Sequence, residues 1–229
     1  DLKHEVQKRG FTVAHIKTDS IKIPDADENI IDFVMEFGKK YGYTFEHEAT
    51  YDRMCLVNDA VYIAKYASKE VCDLLYGYIP EKNGKKSGKW TATGTQFQVP
   101  YVFKKLFSKE EIELKDMCET KSVTSALYLD MNEKLPENEH DYKFIGKVGS
   151  FCPIKEGCGG GLLLREAKDK DGNIKYASAT GAKGYRWLEA DMVKTLDKVK
   201  DIDQSYYIAM VDKAIEAINE YGDFEMFVS

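Results

Sequence analysis

Phe11-Thr-Val-Ala-His-Ile-Lys-Thr-Asp-Ser-Ile-Lys-Ile-Pro24 is the stretch from which the fold is read. Phe11 to Ile16 and Ile21 to Ile23 are rich in β-branched and aromatic residues, the composition of two short strands. Lys17-Thr-Asp-Ser20 separates them as a hairpin turn does. Such a hairpin holds Asp19 at the tip of a rigid support, where a carboxylate can hold a divalent cation. Taken alone, Thr18-Asp19-Ser20 reads more readily as ordinary turn chemistry, because Asp and Ser favour turns through local hydrogen bonds. The residues on either side shift that balance.

Moving outward, Tyr43-Thr-Phe-Glu-His-Glu-Ala-Thr-Tyr-Asp-Arg-Met-Cys-Leu-Val57 reads as a second, acidic strand. It continues through a turn at Asn58-Asp59 into Ala60-Val-Tyr-Ile-Ala-Lys-Tyr-Ala67. Between the acidic segments, Glu28 to Tyr41 places Ile30, Ile31, Phe33, Val34, Phe37 and Tyr41 on a helical stripe. The order is strand, acidic turn, strand, helix, acidic strand, hairpin, then Lys65-Tyr66. It resembles the C-terminal half of the palm in family B DNA polymerases, most closely the replicative polymerases of bacteriophages.

The resemblance implies roles for particular residues. Asp19 matches the metal ligand of the family's Thr-Asp-Ser turn, with Thr18 and Ser20 beside the nucleotide. Phe45-Glu46-His47-Glu48 matches a strand that runs along the active site, making Glu48 a second catalytic candidate and Glu46 an outer one. Lys65-Tyr66 matches a hairpin that grips the primer–template duplex. The implied cofactor is Mg²⁺ or Mn²⁺, two ions in the complete enzyme, and the implied substrates are dNTPs. Two such ions clamp the attacking and leaving oxygens of an in-line displacement, and hard cations require carboxylate oxygens on rigid strands. One departure stands out: the family usually has Asp two residues before the ligand Asp, and here that position is Lys17.

Neither the other metal-binding Asp motif of the family nor its Lys-rich fingers helix occurs in these residues. Leu2 to Arg9 reads as the end of a helix stopped by Gly10. The expectation is therefore a C-terminal fragment of a polymerase, inactive without the N-terminal part that is its partner. No signal peptide, apolar membrane run or lipidation signal is visible, so no membrane partner is expected and the expected compartment is the cytoplasm, the host's if a phage encodes it.

A 43% hydrophobic content with 15 Tyr and 11 Phe supports real cores and argues against disorder. The five cysteines, Cys55, Cys72, Cys118, Cys152 and Cys158, are odd in number and scattered, which points to a reduced intracellular protein. Cys152 and Cys158 lack zinc-ligand spacing. His47 reads as a strand residue facing away from the acids rather than as a ligand.

A net charge of −6 is unusual for a DNA binder, yet its distribution is uneven. Lys82, Lys85, Lys86, Lys89, Lys104 and Lys105 fall in an acid-free run, leaving −12 on the other residues. Trp90, Phe97, Tyr101 and Phe103 interleave with them. Glu81 to Gly88 reads as a flexible loop, and the plain alternative for its lysines is solvation. Gly88 to Phe107 reads as a short strand, a Gly94 turn and a helix near Pro100. Lys85, Lys86, Lys89, Trp90, Thr93, Lys104 and Lys105 are the DNA-binding candidates of a thumb-like segment, in which neutral Thr and Gln side chains suit phosphate and sugar contacts. Ser108-Lys-Glu-Glu111 fits a capping box, and Thr120 to Leu129 is β-like.

The polar Met131 to Asp141 stretch marks a boundary. Four short strands follow, Tyr142–Val148, Ser150–Ile154, Gly161–Glu166 and Asn173–Thr180, with a hairpin turn at Asp169-Lys-Asp-Gly172. Helices Tyr185–Val199 and Ser205–Tyr221 close the chain. The glycines of Gly157-Cys-Gly-Gly-Gly161 read as a turn, not a phosphate loop. Lys175, Lys183, Arg186 and Trp187 lie in a second acid-free run and form a candidate nucleic-acid contact.

The expected class is α+β, with antiparallel palm-type hairpins and a packed helix (1–67), a thumb-like DNA-gripping region (68–140) and a C-terminal β-meander followed by helices (141–229). The alternatives are a non-catalytic DNA-binding or processivity module, in which Asp19 is a turn residue, and an unrelated metal-dependent nucleotidyl enzyme.

Overall fold

Every strand pairing in this α+β chain is antiparallel, and the computed structural model describes all residues 1–229. The chain forms two compact units, 1–98 with 216–229, and 99–215. These limits differ from the boundaries expected after 67 and 140.

The first unit starts with α1 (Leu2–Lys8) and the hairpin of β1 (His15–Ile16) and β2 (Ile21–Lys22). The strands are shorter than the β-rich composition predicts, with His15 opposite Lys22 and Ile16 opposite Ile21. α2 (Glu28–Lys40) follows, capped by Asp27, whose carboxylate accepts from the Ile30 amide at 2.9 Å. Its apolar stripe is as the periodicity predicts. Ile30 and Val34 join Val6 in a core against which Phe11, Val13, Ile21, Ile23 and Phe45 pack. Burying each large aliphatic side chain contributes roughly 1.5–3 kcal/mol, so the small hairpin is fastened by its flanks rather than by its ladder.

Residues 43–50 form no ladder, contrary to the strand reading of that segment; β3 begins only at Tyr51 (Tyr51–Asn58) and pairs with β4 (Val61–Tyr66). α3 (Lys69–Tyr76) is capped by Ser68 and ended by Gly77 at φ +71°. The expected loop after it is instead a short helix, α4 (Glu81–Lys86), with Asn83 buried. β5 (Trp90–Ala92) completes a three-stranded sheet of order β3-β4-β5, and α5 (Thr95–Gln98) follows the Gly94 turn.

In the second unit, α6 (Pro100–Phe103) widens into a π-helical turn, Lys104–Ser108, which stops at Lys109 with φ +56°. The capping pattern at Ser108–Glu111 therefore starts no helix; the next element is a 3₁₀ turn, Leu114–Met117, boxed by Glu113 and Asp116. β6 (Glu119–Asp130) and β7 (Tyr142–Ile154) are long neighbours in one sheet, so the polar 131–141 stretch is the connection of a hairpin, not a domain linker. The two short strands expected within 142–154 are this single strand. β8 (Leu162–Lys168) and β9 (Ile174–Ser178) flank the predicted Asp169–Gly172 turn.

Arg186 to Glu189, expected as helix, form β10 against Phe151–Ile154. The helix starts afterwards as α7 (Ala190–Thr195), and α8 (Gln204–Asn219) follows as predicted. The sheet order is β10-β7-β6-β8-β9, and register shifts around Leu127↔Gly146 help it curl into a half-barrel. Its core includes Leu127, Leu129, Phe151, Ile154, Leu163, Trp187, Leu188 and Tyr207. α9 (Phe224–Val228), in the first unit, buries Phe224 and sets Phe227 against Trp90 at 5.3 Å between ring centroids. No helix is long and apolar enough to cross a membrane.

Candidate functional site

Asp19 occupies the tip of the β1–β2 hairpin, whose turn is closed by the Lys17 amide donating to the Ser20 carbonyl at 2.9 Å. Thr18 and Asp19 are exposed and Ser20 is half-buried. The Asp19 carboxylate takes part in no hydrogen bond or ion pair; its resolved influence is electrostatic, on Lys22. Lys22 also feels Glu48. Burial pushes its ammonium below the ordinary lysine range, Lys17 and Lys82 push the same way, and Glu48 and Asp19 oppose them. Its Nζ lies 5.2 Å from the Tyr62 ring centroid. Sequence reading missed this lysine, although a cation two residues beyond an acidic turn, on a strand, was the available signal.

The segment that carries Glu46 and Glu48 is extended without strand partners. Its side chains still alternate: Phe45 packs on the α2 core, Glu46 and Glu48 face water, and His47 turns inward. His47 Nδ1 lies 2.8 Å from the Tyr78 hydroxyl and Nε2 lies 2.8 Å from Thr50 Oγ1, which makes it a structural residue. Burial lowers its pKa. Glu48 is not free, because Lys82 Nζ sits 2.6 Å from its carboxylate.

A hard divalent ion takes about six oxygen ligands. Asp19 offers one uncommitted carboxylate, Glu48 is already paired, and no group of three or more His, Cys, Asp or Glu side chains assembles. These residues supply a ligand rather than a complete metal site.

The candidate DNA-binding residues fall into different environments. Lys65 and Tyr66 are consecutive on β4 and so point to opposite faces. Lys65 lies over Trp90, at 5.9 Å from its centroid, whereas Tyr66 is 3% exposed and serves the core. Tyr51, Tyr62 and Tyr66 form an aromatic group, and burial, with the neighbouring Tyr62 and Tyr66 hydroxyls, pushes the Tyr51 hydroxyl far up. Lys86 Nζ stands 5.6 Å from the Tyr66 centroid. Lys85 pairs with Glu81, while Lys89 is exposed.

Four of the candidates are committed elsewhere. The Thr93 hydroxyl donates to Ala60 O and accepts from the Tyr62 amide, so it fastens β5 to the hairpin rather than facing a ligand. Lys104 is held at 2.9 Å by the buried Asp116 carboxylate. Trp187 is fully buried, and its neighbour Arg186 is bound by Glu133 and the Gly160 carbonyl, which removes the core of the second acid-free run from the surface. Lys105 remains exposed. The basic block is also divided, with Lys82 to Lys89 in the first unit and Lys104 and Lys105 in the second. Compared with protein-family models, curated proteins and solved structures, the chain matches none of them.

Proposed function

We propose that this chain is part of a DNA-directed DNA polymerase of family B, bacteriophage type, extending a primer from dNTPs by nucleotidyl transfer in the cytoplasm. The observation that carries the reading is Asp19. It is an exposed, unpaired carboxylate at a hairpin tip whose flanks are rooted in the Val6–Ile30–Val34 core. A ligand for Mg²⁺ or Mn²⁺ needs that combination of a free carboxylate and a fixed support. In this reading Asp19 supplies one ligand oxygen, further carboxylates come from a part of the polymerase outside these residues, and Thr18 and Ser20 border the nucleotide. Lys22 and Lys82 set the local charge next to Asp19 and Glu48.

Primer–template DNA is then the macromolecular partner, met by Lys65, Lys86, Lys89 and Trp90 of the first unit. The test is primer extension by the polymerase containing this chain. Asp19→Asn is expected to abolish synthesis and leave duplex affinity unchanged. Retained extension refutes the assignment.

A second reading is favoured by the pairing of Glu48 with Lys82, which commits the second catalytic candidate to a lysine: a DNA-binding or processivity module without catalysis. It predicts duplex binding that is indifferent both to Asp19→Asn and to Mn²⁺. Quenching of duplex-bound chain by Mn²⁺, lost in Asp19→Asn, excludes it.

A further inference from the structure

Cys118 follows the 3₁₀ turn 114–117 and has the extended backbone of the strand it precedes, with φ −118° and ψ 128°. The β6–β7 register places Glu119 opposite Phe151, so one step along the ladder sets Cys118 opposite Cys152. Directly opposed residues of an antiparallel pair have Cα atoms about 4.5–5.5 Å apart, within the span a disulfide accepts. The two sulfurs are 2.9 Å apart. Cys152 is fully buried on β7, between β6 and β10, while Cys118 is half-exposed.

We propose that Cys118 and Cys152 are a reversible cross-strand disulfide site, oxidised by hydroperoxides and reduced by low-molecular-weight thiols. Partial exposure makes Cys118 the sulfur that an oxidant meets. The hydrogen bond from the Cys152 thiol favours its thiolate and holds its pKa below the ordinary thiol value, against burial and Asp116. The same hydrogen bond, with burial, pushes Cys152 up and keeps it a thiol. The Cys118 thiolate attacks one peroxide oxygen, giving a sulfenic acid and hydroxide. The Cys152 sulfur then attacks the Cys118 sulfur, its proton leaves with the departing hydroxyl as water, and the S–S bond forms. In sum two thiols and one hydrogen peroxide give one disulfide and two waters. A thiol such as glutathione reverses it by exchange through a mixed disulfide.

The bond would fasten the 114–117 turn to a central strand of the sheet. That turn carries Asp116, which holds Lys104 and the Glu113 amide. Oxidation therefore rigidifies the region where the helix of residues 100–108 joins the sheet. The other three cysteines have no role in it: Cys72 is buried in a separate core cluster with Ala67 and Tyr76.

The test is the folded chain treated with hydrogen peroxide or left in dithiothreitol, followed by alkylation and peptide mapping. Alkylatable thiols are expected to fall from five to three, with one disulfide-linked peptide pair containing Cys118 and Cys152, and a Tm higher by several degrees that dithiothreitol reverses. The Cys55→Ser, Cys72→Ser, Cys158→Ser variant should retain the change and Cys118→Ser should lose it. Should a variant not fold, mapping the unmutated chain decides alone. Five alkylatable thiols after oxidation, sulfinic acid at Cys118 in place of a cross-link, or a linkage through other cysteines would each overturn the proposal.

Discussion

Asn83 and Thr50 hold each other by two reciprocal hydrogen bonds. The Thr50 amide donates to Asn83 Oδ1, and Asn83 Nδ2 donates to the Thr50 carbonyl, both at 2.8 Å. Nδ2 also donates to the Ala67 carbonyl at 2.9 Å. A side-chain amide thus takes the place of a strand neighbour, fixing the segment that carries Glu48 beside the end of β4. Asn83 is wholly buried, so Asn83→Ala leaves the Thr50 amide and the Ala67 carbonyl without partners, while the Thr50 carbonyl keeps the Ala67 amide at 3.0 Å. Each orphaned group costs about 1–3 kcal/mol. The expected loss is ~2 kcal/mol or more, read as a lower urea midpoint at unchanged m. A loss below ~1 kcal/mol would show that water replaces the amide.

Lys104 and Asp116 are a second buried polar device, 14% and 3% exposed in their side chains. Burial acts to raise the Asp116 carboxyl, but the Lys104 ammonium and the Glu113 amide outweigh it and leave its pKa below the usual value. A depressed carboxyl contributes stability above its unfolded pKa, about 3.9, and loses it as pH falls through the lower folded value. The hydrogen bond to Asp116 raises Lys104, so its contribution is complete below the unfolded lysine pKa, about 10.4, and disappears as pH rises through the folded one. Lys104→Met strands a carboxylate and should cost about 3–5 kcal/mol at neutral pH. Adding Asp116→Leu should return most of it, and thermal melts of the two variants give the comparison.

These two pairs mark where the sequence stopped being legible. α2 was readable because six apolar residues keep one face at helical spacing, and the β3–β4 and Asp169–Gly172 turns because turn residues interrupt strand-forming runs. Asn83 sits in a Lys- and Gly-rich stretch that reads as loop, and nothing local announces that its amide substitutes for a missing ladder. Arg186-Trp-Leu-Glu189 has too few residues for a period to decide between helix and strand; pairing with Phe151–Ile154 decides it. At the candidate site, Asp19 was found from its turn, but the Glu48–Lys82 pair joins residues far apart in sequence, as does the Lys104–Asp116 pair that removes a DNA-binding candidate. Long-range charge pairing leaves no periodic signature.

Gly161 is required for a reason distinct from turn conformation. A Cβ there would stand 2.3 Å from the Asp130 carbonyl oxygen, while its backbone exchanges hydrogen bonds of 2.9 and 2.8 Å with Trp187. Backbone presses on backbone, so no side chain can yield. Gly161→Ala should lose ~2–4 kcal/mol through strain at the β8–β10 junction. Gly172, at φ +82° with open space around it, is the control. Gly172→Asn should cost no more than ~1 kcal/mol, because Asn tolerates the left-handed region. Equal losses for the two would mean that conformation, not contact, governs both.

The proposed duplex contact makes a prediction that separates Lys86 and Lys89 from their neighbour Lys85. Lys85 lies against Glu81 on α4, so reversing its charge also removes an existing attraction and confuses the result. Lys86 is exposed over the Tyr66 ring and Lys89 is exposed just before β5. If both meet phosphates, the Lys86→Glu, Lys89→Glu variant should bind duplex more weakly at every salt concentration. The slope of log K against log salt should also flatten by about 0.9 for each lost phosphate contact, hence by nearly 2 for the pair. A solvated face, by contrast, gives only a general weakening from the added negative charge, with an unchanged slope. Fluorescence anisotropy from low to moderate salt measures both quantities. Asp19→Asn in the same assay should leave the slope untouched, because in the proposed polymerase Asp19 meets the metal rather than the DNA backbone.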